Sequence, residues 1–147
     1  MGKYEDALKV IEQAIQINPV EPRYYNLMGS TLVKTGLDSV ARKMFEVACA
    51  LDINYIEAKV NLAVLSSKSG DHITAIKLLE DAIANSNEND LNATSINQIK
   101  YLLGFDYLSV GKLKEGWLFY DYGFDLNIAP NGRRNPTRLF KKPEWKG

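Results

Sequence analysis

The sequence predicts an all-α fold, a helix–turn–helix repeat array of the α-solenoid kind. It holds about three and a half repeats and an extended C-terminal tail. Three observations carry this. Gly36 and Gly70 lie 34 residues apart, and so do Ala41 and Ala75, and Ala48 and Ala82. The same step backwards meets Gly2, Ala7 and Ala14. Between the glycines, apolar residues recur at helical spacing, as in Ala7, Val10, Ile11, Ala14 and Ile15. A period of a few tens of residues marks stacked units that share one continuous core.

Each recurring residue type has a physical reason. The glycine stands where a first helix (A) stops and the chain turns tightly, which needs freedom in φ. The two alanines, seven apart, share one face of the second helix (B), where a larger side chain would push neighbouring helices apart. Phe45 and Leu79, again 34 apart, are the large apolar partners that fill the space between helices.

In chain order, residues 3–17 form the first helix, which Asn18-Pro19 ends. By register it is a helix B without its helix A, so one flank is expected to be uncovered. Further repeats upstream, a capping role, or packing against another copy would each account for this, and an excised fragment is favoured. Pro22 suits the first turn of helix 22–35. Helices 38–51, 56–69 and 72–84 follow, with Gly70-Asp71 as a turn. After Ala84 the period slips. "NSNENDLNATS" is polar, and the next turn glycine, Gly111, comes 41 residues after Gly70. Helices 91–110 and 113–127 complete an array spanning 1–129. In the last helix Gly116 and Gly123 take the places of the alanines. Glycine inside a helix costs roughly 1 kcal/mol relative to alanine, so close packing beneath bulky neighbours is expected. Trp117, Phe119, Tyr120, Tyr122 and Phe124 supply those neighbours and wrap the helix, so cover on more than one side is expected. Residues 130–147 show no helical period and read as a basic extended tail or linker anchored by Leu139-Phe140 and Trp145.

At 147 residues, 46% hydrophobic and 24% charged, the chain suits one ordinary soluble domain. It has no membrane-length apolar run, no signal peptide is expected because the sequence opens directly on an amphipathic helix, and one cysteine, Cys49, excludes an internal disulfide. A cytoplasmic location is expected. Residues 131–147 hold six basic residues against Glu144 alone, a net of +5, which leaves −5 on residues 1–130. An acidic array speaks against nucleic-acid binding.

No catalytic constellation stands out: no phosphate loop, no nucleophile beside a histidine, no HExxH or CxxC. Neither a metal site nor a cofactor is expected. His72, the lone histidine, has no second histidine, cysteine cluster or carboxylate set near it in sequence and reads as a packing residue. Cys49 reads as packing too. The carboxylates read as scattered over solvent-facing helix positions.

The segments "GKYEDALKVIEQAIQINP", "GLDSVARKMFEVACALDIN" and "NPVEPRYYNLMG", with Tyr25, Met28 and Gly29 in place, resemble the tetratricopeptide repeat family over about residues 2–127. The resemblance implies a non-catalytic scaffold for protein–protein or interdomain contact. A fold of this kind carries many functions. A repeat stack offers a concave face lined by its A helices, where an extended peptide or a neighbouring domain can lie. By register its candidates are Arg23, Asn26, Leu27, Ser30 and Lys34, then Glu57, Val60, Asn61, Val64 and Lys68, then Gln98, Tyr101, Leu102 and Phe105. The set lacks clustered basic residues for a C-terminal carboxylate. Asn26 and Asn61 either pair with a peptide backbone or are solvated.

A second resemblance lies at the C-terminal end. "GxxxEGWxxYD" from Gly111 to Asp121, then "RxFxxPxWxG" from Arg138 to Gly147, looks like the junction of bacterial proteins whose repeats lead into a glycosyltransferase domain. Gly123 departs from the arginine often found there. The resemblance implies that Trp117, Tyr120, Arg138, Phe140 and Trp145 make interdomain contact in the N-terminal part of a larger bacterial protein. The alternative is a free-standing adaptor that binds a peptide in its groove or self-associates through the uncovered first helix. Expected partners are thus a protein or peptide, an adjoining catalytic domain, or a second copy, with no nucleic acid and no membrane.

Overall fold

The computed structural model describes residues 2–86 and 93–122, with 93–95 through backbone alone. The described residues form seven helices: α1 (Gly2–Ile17), α2 (Pro22–Lys34), α3 (Asp38–Leu51), α4 (Ile56–Lys68), α5 (His72–Ala84), α6 (Ala93–Ser109) and α7 (Leu113–Tyr120). Among these residues there is no strand. Gly123, Phe124, most of the polar stretch after Ala84, and the whole tail with Leu139, Phe140 and Trp145 lie outside the described residues.

Three turns repeat one hydrogen-bonded design. At the ends of α2, α4 and α6, Gly36, Gly70 and Gly111 hold φ of 80°, 85° and 81°. Each glycine N–H donates back to a carbonyl (Val33, Ser67, Leu108), and the next residue's N–H donates one residue further back (Leu37 to Leu32, Asp71 to Ser66, Lys112 to Tyr107), at 2.9–3.1 Å. This is the Schellman arrangement, which satisfies the last carbonyls of a helix and requires the left-handed conformation that glycine adopts without strain. The helix starts are capped in two ways. Pro22 opens α2, and Asp71 accepts from the Thr74 N–H at 3.1 Å ahead of α5.

Each helix packs on its neighbours in sequence, and α2, α4 and α6 also touch one another in series. The B helices α1, α3, α5 and α7 make no such contact among themselves within the described residues. The stack therefore curves with its A helices on the inside.

The interior is built from small residues facing large ones. Ala41, Ala48, Ala75 and Ala82 are fully buried, while Phe45 and Leu79 are 1% exposed. The A helix answers the size of the B residue. A Cβ on Gly29 would lie 2.6 Å from the Phe45 ring, and at the equivalent place in the next repeat Ala63 shares a cluster with the smaller Leu79. Gly29→Ala is accordingly expected to cost about 1–3 kcal/mol by overpacking. In a Phe45→Leu background the same change recreates the Ala63/Leu79 pairing, so denaturant titration of the double mutant should show positive coupling. Additive costs would contradict the pairing.

Polar contacts link the layers. Lys59, 5% exposed, pairs with Asp81 across α4 and α5. Arg42 of α3 donates to Ser66 Oγ at 3.1 Å and Ser69 Oγ at 3.3 Å, on and just after α4. The Tyr107 hydroxyl of α6 donates to Glu80 of α5. Burial first, and the Glu80 contact second, push the Tyr107 phenol up to about 12. The folded state thus holds its proton more tightly than the unfolded chain, whose tyrosine titrates near 10. This contribution to stability is complete below pH 10 and is lost as pH rises from there through about 12. Tyr107→Phe should flatten the decline in denaturation midpoint above pH 10, and an unchanged slope would contradict it.

One expectation is refined and two are corrected. In α1 only Ile11 is buried; Val10, placed on the apolar stripe, is 63% exposed and Ile17 is 85% exposed, in keeping with the uncovered flank expected of this helix. One neighbouring helix covers α1, so one narrow line suffices. In α7 the aromatic residues do not wrap a doubly covered helix. Phe119 and Tyr120 are half-buried, but Leu113 (60%), Trp117 (58%) and Leu118 (60%) face outward. Finally, not every carboxylate is solvated: Asp106 is 2% exposed. The close packing read from Gly116 is present. That residue is buried, and a Cβ on it would lie 2.7 Å from the Leu108 side chain.

Candidate concave binding face

Helices α2, α4 and α6 bring the candidate residues onto the inner face in two groups. The first group is polar and spans α2 and α4. Asn61 Nδ2 donates to Asn26 Oδ1 at 2.8 Å, and Asn26 Nδ2 donates to the Tyr55 hydroxyl at 3.2 Å. The asparagines are therefore neither simply solvated nor free. They lock each other across adjacent repeats, with part of their donor and acceptor capacity left for a ligand. Burial pushes the Tyr55 phenol up, so it stays a neutral donor at ordinary pH. Arg23 lies at the open end of this group and pairs with Glu21 at 2.8 Å. The Arg23 side chain holds the Glu21 carboxyl below its usual range.

The second group spans α4 and α6. Val64, Lys68, Leu102 and Phe105 surround a cavity of about 220 Å³ whose floor includes Leu79 and Asp106. Lys68 reaches back to Asp38 at 2.5 Å. Leu27, Val64 and Phe105 are 53%, 41% and 49% exposed. One lies on each A helix, so apolar surface is offered at three points along the inner face.

The remaining candidates are less directly placed for a ligand. Val60 packs on the core, and Ser30 is half-buried. Lys34, Glu57 and Gln98 are exposed. Tyr101 turns toward α7, its ring 5.1 Å from that of Tyr120. Trp117 packs edge-on against Tyr120 at 5.8 Å. Arg138, Phe140 and Trp145 lie outside the described residues.

The structure adds a contact that sequence reasoning missed. His72 Nδ1 lies 2.8 Å from Asp106 Oδ1, joining the start of α5 to α6, and Phe105 meets the imidazole edge-on at 6.2 Å. His72 occupies the repeat position of Asp38, which pairs with Lys68 of the next A helix. The same stitch thus recurs with its partners exchanged, one helical turn along. An acidic residue at a core position of the next A helix was the available signal.

Among the described residues no group of three or more His, Cys, Asp or Glu is placed to hold a metal ion. No helix there is long and apolar enough to cross a membrane. Cys49 is half-buried, and burial pushes its thiol up, away from the reactive thiolate.

Residues 1–21 match the tetratricopeptide repeat family. No curated protein matches the sequence. Solved structures do. A crystal structure of MamA protein superposes with a TM-score of 0.68 at 16% identity, covering 90% of this chain and 69% of that one. A MamA RS-1 double mutant gives 0.71 at 23% identity, covering 86% and 67%. The Yersinia enterocolitica type III secretion translocator chaperone SycD gives 0.69 at 19% identity, covering 75% and 76%. At such identities the likeness is one of fold. Taken with the repeated glycine turns and the inward A-helix layer, these structures show that the chain folds as an all-α helix–turn–helix repeat solenoid, and residues 1–21 are similar to a tetratricopeptide repeat.

Proposed function

We propose that this chain is a non-catalytic interaction scaffold that holds an extended polypeptide along the concave face of α2, α4 and α6. The observation that carries the reading is the exposure of Leu27, Val64 and Phe105, one on each inner helix. Exposed apolar side chains aligned in a groove mark a binding surface. The Asn26–Asn61–Tyr55 group beside them supplies donors and acceptors for a peptide backbone. The chaperone named among the structural neighbours is compatible with an adaptor role.

The test is selection of binders from a random peptide library, followed by affinity measurement against variants. Val64→Asp with Phe105→Asp should weaken selected peptides about tenfold or more, equivalent to roughly 1.4 kcal/mol. The helical signal should stay unchanged. Undiminished affinity would overturn the reading.

Two finer readings belong to the same proposal. The glycosyltransferase junction rests on the sequence from Gly111 to Asp121 and from Arg138 to Gly147, and the outward Trp117 is compatible with an adjoining element. A natural reading frame that continues past Gly147 into a βαβ pattern would support it, and a stop codon there would end it. A cytoplasmic, bacterial setting goes with that reading. Self-association is favoured by the exposed Val10 and Ile17 of α1, and a sedimentation profile independent of concentration would exclude it.

A further inference from the structure

We propose that the cavity between α4 and α6 takes one tyrosine side chain of a bound polypeptide, its hydroxyl donating to Asp106. The inference rests on the groove reading and names what the groove selects. It starts from a carboxyl group that packing does not explain. Asp106 is 2% exposed and lines the cavity together with Val64, Leu79, Leu102 and Phe105. Its Oδ1 lies 2.8 Å from His72 Nδ1, and its Oδ2 has no hydrogen-bond partner among the described residues. Nor is that oxygen sealed in. Among the described residues, Asp38 Oδ1 is the one side-chain polar atom both sealed and unpartnered. What opening Oδ2 has is therefore onto the cavity.

The fold does not ask for a carboxyl here. The same repeat position holds Thr31 in α2 and Leu65 in α4. The Thr31 hydroxyl donates to the Leu27 carbonyl of its own helix at 2.9 Å, and Leu65 is core at 5% exposure. Holding His72 uses one oxygen of Asp106. The other is left as an acceptor in an apolar setting, which costs free energy until a donor meets it.

Size and chemistry then limit the occupant. A volume of about 220 Å³ is below the roughly 300–1,000 Å³ of small-molecule sites, so the cavity suits a side chain. Serine and threonine carry a donor but are too short to cover the apolar walls. Lysine and arginine would bring a second cation beside Lys68, which lines the cavity and already pairs with Asp38. They would also lose hydration among those walls. Leucine and phenylalanine would cover the walls but leave Oδ2 without a donor, and would expel any water that serves it. A phenol joins an aromatic body to a neutral donor at its far end. The chain already builds this pairing once, where the Tyr107 hydroxyl donates to Glu80.

The test uses a library-selected peptide whose binding depends on Val64 and Phe105. Each position is replaced in turn by tyrosine, phenylalanine and lysine, and every version is titrated against the full chain. At one position tyrosine should bind about tenfold tighter than phenylalanine, the size of a hydrogen bond to a charged group. On Asp106→Leu, which installs the residue that α4 has at this place, the preference should vanish with the helical signal unchanged. The peptide comparison needs only the unaltered protein, so it stands even if that variant fails to fold. A difference under about twofold at every position would overturn the proposal and leave the groove reading intact. Lysine binding tighter than tyrosine would make a cation the occupant and overturn it too, as would a tyrosine preference kept by Asp106→Leu. If no selected peptide depends on Val64 and Phe105, both readings fall.

Discussion

Phe45→Ala is expected to lower the free energy of unfolding by about 3–5 kcal/mol. The ring is 1% exposed and sits in a cluster with Leu32, Ala41 and Leu65, each at most 5% exposed. Its edge occupies the space that a Cβ on Gly29 would need. The ring thus fills the space between α2 and α3 at this point, and its removal leaves a cavity beside Gly29. The cost is a large part of the stability of an ordinary domain. Denaturant titration measures it, and a loss under about 1 kcal/mol would show that the ring does not hold α2 and α3 together.

The second large effect is Gly104→Ala, expected to cost about 3 kcal/mol although helix propensity alone favours alanine by roughly 1 kcal/mol. A Cβ there would lie 2.4 Å from the Tyr120 backbone nitrogen and 2.8 Å from the Phe119 carbonyl carbon. Backbone cannot rotate aside as a side chain can, so α6 and α7 must separate. The loss should concentrate there: amide exchange should quicken along α7 while α2 and α3 keep their protection. A stabilised variant would mean that the two helices do not touch at this point.

These two positions show which parts of the fold were legible from sequence. A turn that needs positive φ leaves glycine as its mark, so Gly36, Gly70 and Gly111 could be found by spacing alone. Tight helix contacts leave alanine or glycine, which placed Ala41, Ala75 and Gly116 correctly. What spacing does not carry is the pairing of unlike residues across repeats. Asp106 falls on an A helix that follows an irregular insertion, and its repeat position holds Thr31 and Leu65 elsewhere. Its register at a core position is the one sign that sets it apart from a solvated carboxylate, and the sequence does not show that α5 brings His72 to it. Asn26 and Asn61 bond diagonally between non-equivalent positions, so a search by register does not join them. The exposed Val10 agrees with the uncovered flank expected of α1, although the apolar stripe had included it, and the exposed Trp117 departs from the cover on more than one side expected of the last helix. Periodicity tells which residues share a face, but the number of neighbouring helices decides whether that face is covered.

The concave face itself was assigned by register. The structure then divided its candidates into a polar group around Asn26 and Asn61 and an apolar cavity around Phe105, with Tyr101 drawn away to α7. The cavity is mainly apolar, lined by Val64, Leu79, Leu102 and Phe105, whereas the Asn26–Asn61 pair is polar.

The most direct test of the scaffold account is the affinity of library-selected peptides for the full chain and for its Val64→Asp, Phe105→Asp variant. The account predicts saturable binding to the first and a loss of about tenfold or more in the second, with helical content retained. Peptides that bind both equally well would place the binding surface elsewhere and contradict it.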